Sequence, residues 1–242
     1  MNLSGERRPQ SYLRETLWSD APVSHIVVTP PVPSFPLNPD KANWSVWDFP
    51  DVVDHWNFPG YEGKKMTVSV YSNCEQVELF LNGESLGKQE NTADKKNTLV
   101  WEVPYAHGIL KAVSYNKGGE VGTATLESAG KVEKIRLSAD RTEIVADGND
   151  LSYITLELVD SKGIRNQLAE ELVEFSIEGD ATIEGVGNAN PMSIESFVAN
   201  SRKTWRGSNL LVVRSGKSSG RIIVTAKVKA LPVASITITQ KK

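Results

Sequence analysis

Short runs in which apolar and polar residues alternate limit what this chain can fold into more than any other feature of its sequence. Met66, Val68 and Val70 alternate with Thr67, Ser69 and Tyr71, and Val77, Leu79 and Leu81 alternate with Glu78, Phe80 and Asn82. Side chains on a strand point to opposite faces with a period of two, so such runs predict strands with one buried face. Asn82-Gly83 follows the second run. Both residues tolerate the positive φ that a tight hairpin requires. Trp101 and Val103, then Leu110, Ala112 and Ser114, supply further strands, with turns at His107-Gly108 and Lys117-Gly118-Gly119.

A second set opens with Val132 to Ser138. Ile154, Leu156 and Leu158 alternate with Thr155, Glu157 and Val159, and the pattern continues through 172–177, 181–186, 210–213, 221–228 and 235–239. Strands of this length, recurring about every 8–12 residues between Gly and Asp turns, predict antiparallel sandwiches. No strand–helix rhythm of a barrel or dinucleotide fold is present. The expected fold class is all-β: two tandem antiparallel β-sandwiches over 21–130 and 131–242, joined near Gly130. A chain of 242 residues holds two such domains of about 100–120 residues each. Val77, Leu79, Leu81 and Val113 should face inward in the first, and Ile154, Leu156, Leu158 and Val224 in the second.

The first twenty residues differ. Leu13, Leu17 and Trp18 fit one helical stripe, and Ser19-Asp20-Ala21-Pro22 stops it. A helix this short is marginal alone, so residues 1–20 are expected to be the remnant of a preceding domain or linker. Five prolines between Pro30 and Pro39 favour an extended path. An aromatic belt follows: Trp44, Trp47, Phe49, Trp56, Phe58 and Tyr61. Such rings pack against a core or a neighbouring domain, or stack on sugar faces. Trp44, Trp47, His55, Trp56 and Phe58 are therefore the candidates for carbohydrate or domain contact.

Composition narrows the function classes. A formal charge of −3 with scattered Lys and Arg leaves no footprint for nucleic acid. No apolar run approaches the roughly 18 residues of a membrane span. Cys74 is the sole cysteine, and with three scattered histidines it forms no zinc or redox constellation. Three motifs invite chemistry and are each better read as turns or local caps. Gly216-Lys217-Ser218-Ser219-Gly220 matches a nucleophile elbow but lies between two β-like runs. Asp48, Asp51, Asp54 and His55 cluster in an irregular segment where Asp bonds local backbone. Asp147-Gly148-Asn149-Asp150 lacks the spacing of a calcium loop. No catalytic residue, cofactor or metal is expected. Met1 to Gln10 has no hydrophobic signal core, so the export signal of a periplasmic or extracellular parent would lie upstream.

The run from Tyr71-Ser72-Asn73-Cys74 through Val77-Glu78-Leu79-Phe80-Leu81-Asn82-Gly83 to Leu86-Gly87, followed by Trp101-Glu102-Val103-Pro104-Tyr105 and Gly108 to Ala112, resembles a signature near the C-terminus of glycoside hydrolase family two proteins. His55-Trp56-Asn57-Phe58 matches that family's lead-in. Ile135 to Arg141, Ala146-Asp147-Gly148, Thr155 to Asp160, Gly187-Asn188 and Arg202 to Gly207 resemble the next Ig-like module, which is also similar to invasin and adhesin domains. The resemblance implies a bacterial, retaining, β-galactosidase-like parent. Its two catalytic glutamates belong to a barrel before residue 1, with the helix at Leu17-Trp18 resembling that barrel's end. The chain is then a non-catalytic accessory segment partnered by the barrel in cis. The alternatives are a carbohydrate-binding module that takes an oligosaccharide on its aromatic belt, or an adhesin-like stalk.

Overall fold

A computed structural model describes residues 1–34 and 50–242. Over the described residues it is all-β apart from one α-helix and a short 3-10 turn, and it divides into two compact units, Arg7–Ser128 and Ala129–Lys242 with Met1–Glu6. Residues 1–20 are thus shared between the two.

In the first unit a helix α1 (Gln10–Trp18) precedes β1 (Ser24–Val28), β2 (Lys65–Ser72), β3 (Gln76–Leu81), β4 (Glu84–Glu90), β5 (Thr98–Pro104), β6 (Ile109–Asn116) and β7 (Gly119–Glu127). They form two antiparallel sheets, ordered β1-β2-β5 and β4-β3-β6-β7. Strand alternation supplies the core from both: Met66, Val68 and Val70 on β2, Leu99, Trp101 and Val103 on β5, Val77 and Leu79 on β3, Leu110 and Ala112 on β6. The Asn82-Gly83 hairpin forms as expected, with φ of 51° and 90° and Leu81 paired to Glu84. Leu81 is only half-buried against this core. Val113 is a correction. It is buried, but it pairs with Glu78 while Ala112 pairs with Leu79, so it occupies the opposite face of its sheet.

Helix α1 covers the outer face of β1 and β2. Tyr12 and Leu13 pack on Val27, Val52 and Tyr71, Thr16 is buried, and the Tyr12 ring stacks on His25 at 3.6 Å. This corrects the Leu13–Leu17–Trp18 stripe, because Leu17 is 64% and Trp18 85% exposed. Nine residues are too few to hold a helix by backbone bonds alone, and here two asparagines secure it. Asn73 Nδ2 donates to the carbonyls of Ser19 (3.0 Å) and Ala21 (2.9 Å), while its Oδ1 accepts from Val23 N. Asn97 Nδ2 donates to the Thr16 hydroxyl at 3.1 Å.

The second unit contains β8 (Lys134–Ala139), β9 (Glu143–Val145), β10 (Leu151–Val159), β11 (Leu172–Glu178), β12 (Ala181–Gly187), β13 (Ser201–Lys203), β14 (Ser208–Ser215), β15 (Gly220–Val228) and β16 (Ala234–Lys241). Its sheets run β12-β14-β10-β8 and β13-β11-β15-β16-β9, antiparallel except that β9 lies parallel to β16. Ile154, Leu156, Leu158 and Val224 all face the core, beside Val173, Phe175, Leu211, Val213 and Ile222. Each such side chain contributes about 1.5–3 kcal/mol on burial, so the inward face of β10 alone strongly fixes its register.

Replacing Asn73 with Ala leaves three backbone groups at the helix exit without their partner. We expect a loss of about 1–3 kcal/mol in urea unfolding, with amide exchange in α1 accelerating more than in β2. Unchanged exchange in α1 would contradict this role for Asn73.

Candidate functional site

The described part of the aromatic belt turns inward. Trp56 is fully buried and Phe58 nearly so, and both meet Tyr105 edge-on, at ring separations of 4.9 Å and 5.8 Å. Trp56 Nε1 donates to the Ala106 carbonyl at 2.8 Å, Phe58 N donates to the Tyr105 hydroxyl at 3.1 Å, and the Ser128 hydroxyl donates to the Trp56 carbonyl. These bonds tie the segment before β2 to the β5–β6 connection and the end of β7. Trp56 and Phe58 are therefore core side chains of the first unit, and neither ring offers a free face to a sugar or a neighbouring domain, contrary to their reading as contact residues. His55 stays half-buried, stacked on Phe58 at 4.9 Å with Nδ1 accepting from Asn57 N. Trp44 and Trp47, with Asp48 of the carboxylate cluster, lie outside the described residues.

The other motifs resolve into turn chemistry. Gly216 to Ser219 join β14 directly to β15, and the Asp180 carboxylate accepts from Lys217 N (3.0 Å) and Ser218 N (2.9 Å). A Cβ on Gly216 would fall 2.1 Å from Asp180 Cγ, which is why glycine stands there. Asp147 Oδ1 accepts from Asn149 N and Asp150 N, and those two backbone bonds hold its carboxyl below the usual range. Asp150 accepts from Val145 N and pairs with Arg141 at 2.9 Å. Asp51 accepts from Ser34 N at 2.7 Å. Among the described residues no group of three or more His, Cys, Asp or Glu side chains could hold a metal.

His25, under the Tyr12 ring, is the one strongly perturbed titratable group among the described residues. Burial lowers its pKa from 6.5 to about 4, opposed by the Asp54 charge and aided by Arg7, and its Nε2 has no hydrogen-bond partner among the described residues. Leu17 and Trp18 are exposed on the same helix.

Sequence reasoning missed a second surface. Residues 188–200 connect β12 to β13 and wrap around Arg202, which is fully buried. Its Nη1 donates to the carbonyls of Val186 (3.2 Å), Glu195 (3.1 Å) and Ser196 (3.3 Å), and its Nη2 to the Ser193 hydroxyl (3.1 Å). The guanidinium also lies 4.3 Å from the Phe197 ring. Outward, the loop presents Met192 (71% exposed), Ile194 (101%), Phe197 (54%) and Val198 (82%). The available signal was four large apolar residues in a connection that carries no strand alternation.

Comparison with known proteins matches residues 135–237 to the family described as glycoside hydrolase family 2 C-terminal domain 5, and residues 63–122 to a domain of unknown function, DUF4982. The chain is 30% identical over 242 residues to the beta-galactosidase BoGH2A of Bacteroides ovatus, covering all of this chain and 25% of that protein. It is 30% identical over 205 residues to a beta-glucuronidase of Formosa agariphila, covering 82% and 20% respectively. A solved glycosyl hydrolase family 2 member from Bacteroides cellulosilyticus is 99% identical with a TM-score of 0.99, covering all of this chain and 31% of that one. The chain thus spans about a quarter of the length of these curated relatives.

Two outcomes follow from the geometry. Trp56→Ala should cost about 3–5 kcal/mol, measured by urea unfolding, since a fully enclosed ring leaves a cavity; a loss below 1 kcal/mol would mean the ring is not enclosed. For His25, the unfolded chain takes up a proton near pH 6.5 while the folded chain resists until about pH 4. The neutral imidazole's stabilising contribution is therefore complete above pH 6.5 and declines as pH falls from 6.5 to 4. The slope should reach about 1.4 kcal/mol per pH unit, and His25→Gln should remove that component from the pH profile of unfolding.

Proposed function

Because this chain is a C-terminal segment of a glycoside hydrolase family 2 protein, we propose that it is a non-catalytic accessory segment that braces or borders the catalytic barrel of a β-galactosidase-like or β-glucuronidase-like parent working in the periplasm or outside the cell. The observation that carries this reading is helix α1, which is docked by Tyr12, Leu13 and Thr16 and turns Leu17 and Trp18 outward. A large apolar ring gains about 1.5–3 kcal/mol on burial, so a rigid helix presenting one is a surface suited to a partner. The barrel is the partner available in cis, and contact there orders no new backbone.

Retaining glycoside hydrolysis uses two carboxyl groups about 5–5.5 Å apart across the sugar, and in this reading both belong to the barrel. The carboxylates of Asp147, Asp150 and Asp180 are committed to backbone N–H groups, which supports a structural role for them. A carbohydrate-binding role for the aromatic belt is weakened by the burial of Trp56 and Phe58.

The 242-residue chain alone should release no product from aryl β-galactosides or β-glucuronides above a blank; turnover that co-purifies with the chain through further chromatography would overturn the reading. In the whole family-two protein, Trp18 should be shielded from an aqueous fluorescence quencher, and Leu17→Ser with Trp18→Ser should lower its melting temperature. A Trp18 quenched as freely as free tryptophan would count against barrel contact through α1.

A further inference from the structure

We propose that residues 188–200 form a rigid apolar knob that seats in a socket on the preceding, catalytic part of the same family-two polypeptide. This rests on the accessory reading above and adds a second contact, made by a different unit from the one that carries α1.

The loop is built for presentation. Its polar side chains are tied to backbone: Asn188 Nδ2 donates to the Lys203 carbonyl at 2.9 Å, Asn190 Oδ1 accepts from Met192 N at 2.9 Å, and Glu195 Oε1 accepts from Lys203 N at 3.1 Å. Val186 N donates to the Phe197 carbonyl at 2.9 Å, and Gly185 permits that approach, since a Cβ there would stand 3.2 Å from the same oxygen. A solvent loop has no need of a fully buried arginine, because an unpaired buried charge is strongly destabilising. Here Arg202 is the fixed centre to which the loop carbonyls are bonded. Met192, Ile194, Phe197 and Val198 are exposed on the outside, beside Pro191, Ser196 and Asn200. A buried guanidinium beneath exposed apolar side chains fits the composition of an interface centre, where charged side chains are scarce. The loop is ordered before it binds, so docking carries little further entropic cost.

The size of the patch selects the occupant. At these exposures the four side chains present roughly 550 Å², short of the ~800 Å² per partner that a stable complex between separate molecules buries. A tethered partner needs less, because the linkage holds it at a high effective concentration. More than two-thirds of the Bacteroides cellulosilyticus relative lies outside the stretch that this chain matches, so a tethered partner of sufficient size is available.

Peroxide oxidation of methionine reads this contact in the whole family-two polypeptide, with buried Met66 as the slow internal reference. Met192 should oxidise nearly as slowly as Met66, and Ile194→Ser with Val198→Ser should accelerate it about tenfold while leaving Met66 unchanged. Both substituted positions are exposed, so the fold of the unit should be retained, as checked by circular dichroism. Oxidation of wild-type Met192 at the rate of free methionine overturns the proposal. If Trp18 is shielded in that same sample, barrel contact through α1 survives and only the knob fails; if Trp18 is also open, both contacts fall. Protection that disappears on dilution together with a larger oligomer would assign the knob to a second copy, which also overturns it.

Discussion

Each described sheet turns one face into a core, and the pleat then sends alternate residues of a strand to that face. The rest of the architecture depends on that condition. On β2 it sends Met66, Val68 and Val70 into the core and leaves Thr67, Ser69 and Tyr71 on the other side. The outer face of β1 and β2 is apolar at Val27 and Tyr71, and helix α1 covers it. In the second unit the same condition puts Ile154, Leu156 and Leu158 inward, where a slip of one residue would expose all three.

Strands were legible in the sequence because alternation is a local signal that survives without knowledge of partners. The Asn82-Gly83 hairpin was legible for the same reason, since two residues carry the whole turn. Features set by distant partners were not. Val113 is apolar and lies within a strand, but its face is decided by Glu78 across the ladder. Trp56 and Phe58 read as contact residues because a run of aromatics announces burial without naming the surface, and the surface is Tyr105, about fifty positions on. The helix existed where expected, but its packed side is Tyr12, Leu13 and Thr16, chosen by the side chains of Asn73 and Asn97. Arg202 gave no sign of its burial, because only the folded loop supplies three carbonyls to one guanidinium.

Two devices in the chain hold apolar side chains outward on ordered backbone. In one, asparagines fasten a short helix whose Leu17 and Trp18 remain exposed; in the other, an arginine organises a loop whose Ile194 and Val198 remain exposed. Flexible loops can expose such residues at little consequence, but these segments are fixed by hydrogen bonds made to their interiors. A protein gains nothing in water from rigidly displaying large apolar groups. Both devices sit in a segment that is a quarter to a third of its relatives, and in the proposed reading the remaining polypeptide is the surface they would meet.

Calorimetry of the whole family-two protein, beside a version that ends before this segment, tests the bracing claim most directly. Coupled unfolding would appear as a single transition, or as a barrel transition that moves several degrees lower when the segment is removed. A barrel transition at the same temperature with and without the segment would contradict the account, leaving the chain as an independent passenger.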